Sequence, residues 1–240
     1  MSCDASSEAI RGVLDLLHSL GHFRFVGVGT GSTVALFLSS AFSFKDSWII
    51  VPSSLDTMMR ARELGYNISY PSIWVDFYID SADEVDMRGV MVKGGGGALL
   101  GEKVLSYFSP LNIFAISEGK LVDIVGSSKP IPLEVVRDYL SYIIEEIRSL
   151  GFRVEVRESR GKRGPIISDW GGVILDVYTG PVEDPELLEW RLKSIPGVIE
   201  IGLFYGFIDY LVVGYRSCGY KVFKFERKRG YRVRSKRERG

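Results

Sequence analysis

Arg24-Phe25-Val26-Gly27-Val28-Gly29-Thr30-Gly31-Ser32-Thr33-Val34-Ala35-Leu36-Phe37-Leu38 is the stretch that decides the fold. A short apolar run passes straight into a glycine-rich turn and then into a helical pattern. Strand, glycine turn, helix is the layout of a βα unit whose backbone N–H groups converge on an anion. The turn lacks the lysine of a nucleoside-triphosphate loop and the third glycine of the dinucleotide fingerprint. The following strand ends in Pro52-Ser53-Ser54, not in an acid that could hold a ribose hydroxyl. A nucleotide is therefore disfavoured. Thr30, Gly31, Ser32 and Thr33 suit a single phosphate group, although a tight βα turn with a Ser or Thr N-cap would use the same residues.

The alternation continues on both sides. Residues 7–20 place Ile10, Val13, Leu14, Leu17 and Leu20 at helical spacing. Strands are expected at Ser47–Val51, Trp74–Ile79 and Leu111–Ile116, and helices from Ser54 to about Leu64 and from Ala98 to Phe108. This β–α alternation predicts a mostly parallel, Rossmann-like open sheet covered by helices, an α/β fold. The pattern changes at Pro130-Ile131-Pro132, read as a linker or domain edge. Beyond it come a helix over Glu134–Leu150, strands at Arg153–Val156 and Gly172–Tyr178, and a helix over Asp184–Ile195. That is a small inserted α+β domain. Strands at Ile201–Phe204 and Tyr210–Val213 are expected to rejoin the first sheet. The expected division is 1–129 with 204–224 as a discontinuous main domain, 130–203 as the small domain and 225–240 as a basic tail.

Polar clusters fall at or just beyond four strand ends, where ligands bind in open parallel sheets. They are Gly29–Thr33, Ser53-Ser54, Asp80-Ser81-Ala82-Asp83-Glu84, and Lys93-Gly94-Gly95-Gly96-Gly97 with Glu102. Four consecutive glycines lose much backbone entropy on folding, so they point either to a hinge or to close approach of a ligand to the backbone. Glu102 falls in the first turns of a helix, where the dipole favours a carboxylate. Lys93 and Glu102 are thus the best acid–base candidates. The acidic turn alone reads equally well as a solvated cap. The only histidines, His18 and His22, lie near the first helix, so a histidine-based triad or zinc site is not expected.

Composition narrows the classes further. No apolar run is long enough for a transmembrane helix, and the N-terminus carries acid where a signal peptide needs base. Cys3 and Cys218 lack metal-ligand spacing, so reduced thiols and a cytoplasmic location are the expectation. Glutamine is absent and asparagine occurs only at Asn67 and Asn112, a loss of thermolabile amides that suggests a hot-growing source. The net charge of zero hides an asymmetry, because Arg227–Gly240 carries eight Lys or Arg against one acid. Such a run is usually a solvated arm; contact with nucleic acid is the sharper and less favoured alternative.

Together these clusters resemble the type A ribose-5-phosphate isomerase family. Val26–Thr33 is similar to its phosphate loop, Asp80–Glu84 to its Asp-Gly-Ala-Asp-Glu motif, and Lys93–Leu99 with Glu102-Lys103 to its Lys-Gly-Gly-Gly motif and catalytic glutamate. Lys120-Leu121-Val122-Asp123, Pro130–Val135, Ser168-Asp169, Ile174–Asp176 and Ile195–Val198 resemble later segments, so the match runs from about residue 7 to 214. The resemblance implies an α/β domain with a small ferredoxin-like domain inserted, a homodimer or homotetramer, and no membrane partner. It implies interconversion of D-ribose 5-phosphate and D-ribulose 5-phosphate through a cis-enediolate, in the non-oxidative pentose phosphate route, without metal or organic cofactor. Glu102 would be the base, Lys93 the oxyanion stabiliser, Asp80 the group assisting ring opening and Asp83 the holder of sugar hydroxyls. Thr30, Gly31, Ser32, Thr33 and Lys120 would grip phosphate, with Ser53, Ser54, Gly94, Gly95 and Gly96 along the sugar. Departures are Ser81 where the family has glycine, Ser117-Glu118-Gly119-Lys120 where it has Asp-x-Ser-Lys, and Asp169-Trp170-Gly171-Gly172 where it has Asp-Asn-Gly-Asn. The rival readings are an isomerase with shifted substrate and a non-catalytic sugar-phosphate sensor. The sensor is disfavoured because only about 23 residues precede the first strand, too few for a DNA-binding motif.

Overall fold

The structure, a computed structural model, describes residues 2–70, 73–159, 161 and 163–228. By internal contact the chain divides into two units. The first runs from the N-terminus to Ser81, then takes Val104–Ile116 and the chain from Gly206 onward; the second is Ala82–Lys103 with Ser117–Tyr205.

The first unit is built on a seven-stranded sheet. Its strands in chain order are β1 (Phe25–Val28), β2 (Ile49–Pro52), β3 (Asn67–Ile68), β4 (Phe77–Asp80), β7 (Asn112–Ser117), β13 (Tyr210–Gly214) and β14 (Tyr220–Lys224). They lie in the order β14-β13-β7-β4-β1-β2-β3. Pairs β7–β4, β4–β1, β1–β2 and β2–β3 are parallel, and β13–β14 is an antiparallel hairpin. Strand β4 reads Phe-Tyr-Ile-Asp and is buried throughout, as expected where both faces of a parallel sheet are covered. Helix α1 (Ala5–Leu20) is amphipathic, and Asp4 caps it by accepting from the Ser7 N–H at 2.8 Å. Its Ile10, Val13 and Leu17 join Val34, Phe37 and Leu38 of α2 (Ser32–Ser40) over Val26, Val28, Ile50, Phe77 and Ile79. Helix α3 (Leu55–Glu63) starts at the N-cap Ser54, and its Thr57 and Ala61 are buried.

Cys3 and Cys218 are disulfide-bonded, which corrects the expectation of reduced thiols. The cause is topological. Helix α1 packs on β13 and β14, and the Cys3 N–H donates to the Arg216 carbonyl at 3.0 Å. The chain's N-terminal segment therefore meets the turn of the last hairpin, a neighbourhood that a separation of 215 residues hides.

The second unit contains an antiparallel sheet whose strands lie in the order Val198–Ile201, Ile131–Val135, Val173–Tyr178, Arg153–Val156. Its elements are β8 (Ile131–Val135), α5 (Leu140–Ser149), β9 (Arg153–Val156), β10 (Val173–Tyr178), α6 (Pro185–Lys193) and β11 (Val198–Ile201), a ferredoxin-like β-α-β-β-α-β unit. Ile131, Leu133 and Val135 of β8, with Val173, Leu175 and Val177 of β10, bury one face against Ile143, Ile147, Leu188 and Leu192 of the two helices. The segment read as a linker, Pro130-Ile131-Pro132, thus enters an interior strand, and the helix expected from Glu134 begins only at Leu140. Alternation with a period of two over Ile131, Leu133 and Val135 outweighs the prolines. Pro132 sits second in the strand, one residue past the first position, where a missing N–H is tolerated.

A smaller sheet in this unit comprises β5 (Glu84–Val85), β6 (Val90–Val92) and β12 (Leu203–Tyr205) in the order β12-β6-β5. The single strand expected at Ile201–Phe204 is therefore two, and β12 pairs with β6 without rejoining the first sheet. Gly202 lies at the break. A Cβ there would come within 2.2 Å of the Lys93 carbonyl, so no other residue fits. This pairing is why Ala82–Lys103 groups with the second unit, whereas the division read from chain order placed it in the first.

Candidate active site

In the first unit, three parallel strands that lie side by side deliver polar groups from their C-terminal ends. The turn Gly29–Gly31 follows β1, Ser53 and Ser54 follow β2, and Asp80 ends β4. Thr30 Oγ1 lies 3.0 Å from Ser53 Oγ and donates to Ser54 Oγ at 2.7 Å. Ser54 in turn accepts from the Thr57 N–H at 3.2 Å, and Thr57 Oγ1 donates to the Gly29 carbonyl at 2.5 Å. The result is a compact cluster of hydroxyls beside the start of α2. That helix has Gly31, at φ +111°, as its N-cap with no side-chain cap, in place of the expected Ser or Thr. Ser32 is exposed and Thr33 is buried.

Asp80 is buried, at 1 % exposure. Its carboxylate accepts from the Tyr78 hydroxyl at 2.5 Å and from the Ser81 N–H at 2.7 Å. Residues two apart on a strand share a face, so Tyr78 is placed by the pleat itself. The carboxylate packs directly on Gly29, where a Cβ would sit 1.9 Å from Asp80 Cγ.

In the second unit, Lys93 leaves β6 into the glycine loop, and α4 (Leu99–Phe108) begins just beyond it. The Lys93 cluster thus follows an antiparallel strand, which corrects its expected place at the end of a parallel one. Gly94 at φ +93° and Gly97 at φ +79° need left-handed backbone, and the Gly97 N–H donates to the Gly94 carbonyl at 2.9 Å. This tight turn brings the first turn of α4 back to β6, and Lys93 Nζ lies 3.2 Å from Glu102 Oε2 with both side chains buried. Asp83 accepts from the Gly95 N–H at 2.8 Å. Lys120 closes the short 3-10 turn Glu118–Lys120 that follows β7 in the chain.

The next residue, Lys103, has a different task. Its ammonium donates to Glu200 at 2.9 Å, Glu189 at 3.4 Å and the carbonyls of Ile201 and Leu203 at 2.7 and 3.1 Å. Burial lowers its pKa from the usual lysine value, against the opposing pull of Glu200 and Glu189. Lys103 therefore anchors the start of α4 to β11 and β12. Both ammonium groups lie over the Phe204 ring, Lys93 at 5.6 Å and Lys103 at 4.8 Å from its centroid.

The expected site residues thus fall into two groups. Thr30, Gly31, Ser32, Thr33, Ser53, Ser54 and Asp80 belong to the first unit; Asp83, Lys93, Gly94, Gly95, Gly96, Glu102 and Lys120 belong to the second. Thr57, Tyr78, Lys103 and Phe204 were not among them. Thr57 was legible as the third residue after an N-cap serine and Tyr78 from strand alternation, but Phe204 carried no local signal.

Chemically, the first group offers hydroxyls and backbone N–H groups to an anion, together with a buried carboxylate. The second offers a buried carboxylate beside a buried cation, a pair suited to proton transfer next to a carbonyl. The model of the ribose 5-phosphate isomerase A (phosphoriboisomerase A) family matches residues 49–218. A ribose-5-phosphate isomerase A from Aeropyrum pernix is 49 % identical over 225 residues, covering 92 % of this chain and 95 % of its own. The solved ribose 5-phosphate isomerase A of Methanocaldococcus jannaschii superposes with a TM-score of 0.85 at 30 % identity, covering 92 % of this chain and 98 % of its own. A solved D-ribose-5-phosphate isomerase in complex with phospho-erythronic acid gives a TM-score of 0.86 at 31 % identity, covering 93 % and 100 %.

Proposed function

The chain belongs to the ribose 5-phosphate isomerase A family, and from that premise we propose how its residues carry the interconversion of D-ribose 5-phosphate and D-ribulose 5-phosphate. The observation that carries the proposal is the buried contact of Lys93 Nζ with Glu102 Oε2 at 3.2 Å, at the mouth of a loop of four glycines. Aldose–ketose isomerisation moves one proton from C2 to C1. Glu102 takes the C2 proton and the C1 carbonyl oxygen gains the electron pair, giving a cis-enediolate. The Lys93 ammonium stabilises that oxyanion. A proton passes from the C2 hydroxyl to O1, and Glu102 returns its proton to C1 as the C2 carbonyl forms. General-base catalysis of this kind contributes on the order of 10²–10⁴ in rate.

Asp80 assists opening of the furanose ring by accepting the anomeric hydroxyl proton and supplying one to the ring oxygen. Asp83 and the loop at Gly94, Gly95 and Gly96 hold the sugar hydroxyls. Thr30, Gly31, Ser32, Thr33 and Lys120 bind the phosphate, and Ser53 and Ser54 line the sugar. The hydroxyl cluster and the uncapped start of α2 support the phosphate assignment. The phospho-erythronic acid complex of the similar isomerase agrees with a phosphorylated, acyclic sugar as the ligand class.

The enzyme works as a homodimer or homotetramer, with residues 130–203 as the contacting domain; exposed Tyr139, Tyr142 and Trp190 on its helical side support this. It is cytoplasmic, in a hot-growing source. A disulfide is compatible with both, since intracellular proteins of hyperthermophiles are disulfide-rich. No helix of the described residues is long and apolar enough to cross a membrane. The basic tail keeps no assigned role: Arg227 donates to the Ser109 carbonyl at 2.7 Å, and residues 229–240 lie outside the described ones. The test is Glu102→Gln. It should abolish turnover of ribose 5-phosphate while inorganic phosphate still binds; retained turnover would remove Glu102 from its role.

A further inference from the structure

Arg157, the first residue after β9, belongs to none of the clusters that suggested the site. Its guanidinium reaches the glycine loop. Nη1 donates to the Gly94 carbonyl at 2.6 Å and to the Gly95 carbonyl at 3.0 Å. The rest of the group is locked by Asp176 of β10, which accepts from Nε at 2.9 Å and also from Nη2. Both side chains are largely buried, each 15 % exposed. A fork held on one edge by a carboxylate presents its remaining N–H groups in a fixed plane, which a lysine cannot do.

Among the described residues there is no cis peptide bond, and in a trans peptide the carbonyl and the N–H point in opposite directions. In the peptide joining Gly94 to Gly95, the carbonyl faces Arg157 and the N–H faces Asp83 at 2.8 Å. Arg157 and Asp83 therefore grip one peptide from opposite sides. In the next peptide the Gly95 carbonyl also faces Arg157. The Gly96 N–H must then point away from Arg157, to the side where Asp83 stands. Gly95 and Gly96 are exposed glycines, the residues with the most backbone freedom to lose. Without the two carbonyl contacts, the Gly95–Gly96 peptide could rotate and withdraw its N–H, and the Gly94–Gly95 peptide would rest on the Gly97 and Asp83 hydrogen bonds alone.

We infer that Arg157, held by Asp176, is a positioning residue for the isomerisation: it orients the Gly94–Gly95 and Gly95–Gly96 peptides so that their N–H groups face Asp83 and the reacting end of the sugar. The inference rests on the reaction assigned above, and it gives the small antiparallel sheet a part in catalysis, since both Arg157 and Asp176 come from it. The sheet's helix-covered face is core; Arg157 and Asp176 act from the opposite face.

The test compares Arg157→Ala, Arg157→Lys and Asp176→Asn with wild type. Misplacement of the loop by about 1 Å can cost up to ~10²-fold, so kcat should fall by about tenfold or more in both Arg157 variants. The inhibition constant of inorganic phosphate should be unchanged, because the phosphate contacts are elsewhere. Lysine should not rescue, and added guanidinium should partly restore Arg157→Ala. The Gly95 amide should exchange with solvent deuterium faster in Arg157→Ala than in wild type. Unchanged kcat in a folded Arg157→Ala would overturn the inference, as would a parallel loss of phosphate affinity and turnover with no change in Gly95 exchange. If Arg157→Ala does not fold, Asp176→Asn carries the test, with lower kcat expected and unchanged kcat refuting it. A wild type without isomerase activity would instead overturn the assigned reaction, while the Gly95 exchange would still report on the loop.

Discussion

Gly29→Ala should cripple the enzyme through a residue that touches no substrate in the proposed mechanism except by its neighbour. A Cβ on Gly29 would lie 1.9 Å from Asp80 Cγ and 2.1 and 2.3 Å from its two oxygens, where contacts below 3.0 Å are essentially never seen. The backbone cannot yield easily. The Gly29 N–H donates to the Ile79 carbonyl at 2.9 Å, and the Gly29 carbonyl accepts from Thr57 Oγ1 at 2.5 Å. Asp80 must therefore leave the hydroxyl of Tyr78 and the N–H of Ser81. Displacing a catalytic carboxylate by roughly 1 Å costs up to about 10²-fold in kcat/KM. Overpacking of the buried site costs about 1–3 kcal/mol of stability. Gly161→Ala is the control, since a Cβ there meets nothing within 4 Å. Steady-state isomerisation of ribose 5-phosphate and denaturant unfolding, run on both variants, check the two magnitudes. Near-wild-type turnover in Gly29→Ala would show that Asp80 is either displaceable or uninvolved, and would refute the reasoning.

Two other predictions concern stability. Burial raises the Tyr66 phenol to about 12; its hydroxyl donates to the Leu38 carbonyl at 2.8 Å. The folded state therefore keeps a proton that the unfolded state loses near pH 10. Stability should be intact below about pH 10 and fall by roughly 2 kcal/mol as pH rises to 12; Tyr66→Phe should flatten that part of the curve, and an equal slope in the variant would assign the loss elsewhere. The disulfide between Cys3 and Cys218 closes a loop of nearly the whole chain, so Cys218→Ser should cost about 2–5 kcal/mol of unfolding free energy. Thermal unfolding with and without reductant, beside a free-thiol assay, checks this, and two free thiols in the oxidised protein would contradict it.

The first unit was legible because its sequence is punctuated. Strands β1 and β2 are short apolar runs that pass through glycine or serine into a helix, β4 is an apolar run that ends in Asp80, and the ends of these adjacent strands are where Thr30, Ser53, Ser54 and Asp80 stand. Lys93 and Glu102 were legible for a similar reason, since both are within one turn-and-helix segment. The second unit was read less well. Pro130 and Pro132 suggested a break where the alternation of Ile131, Leu133 and Val135 continued into a strand. Pairing across long separations left no local trace: Gly202 beside Lys93, Phe204 beneath two lysines, Glu189 and Glu200 around Lys103, Arg157 on the glycine carbonyls, and Cys3 with Cys218. These partners are set by strand register and helix packing, which depend on the whole chain.

The most direct measurement of the central claim is hydrogen exchange with solvent during turnover. Ribose 5-phosphate is incubated in D₂O with wild type and with Glu102→Gln, and deuterium at C1 and C2 is followed by NMR. A single carboxylate that moves the proton predicts deuterium incorporation with wild type and none with Glu102→Gln, while that variant still binds inorganic phosphate. Continued incorporation by Glu102→Gln would mean that another group moves the proton, and would contradict the account built on the Lys93–Glu102 pair.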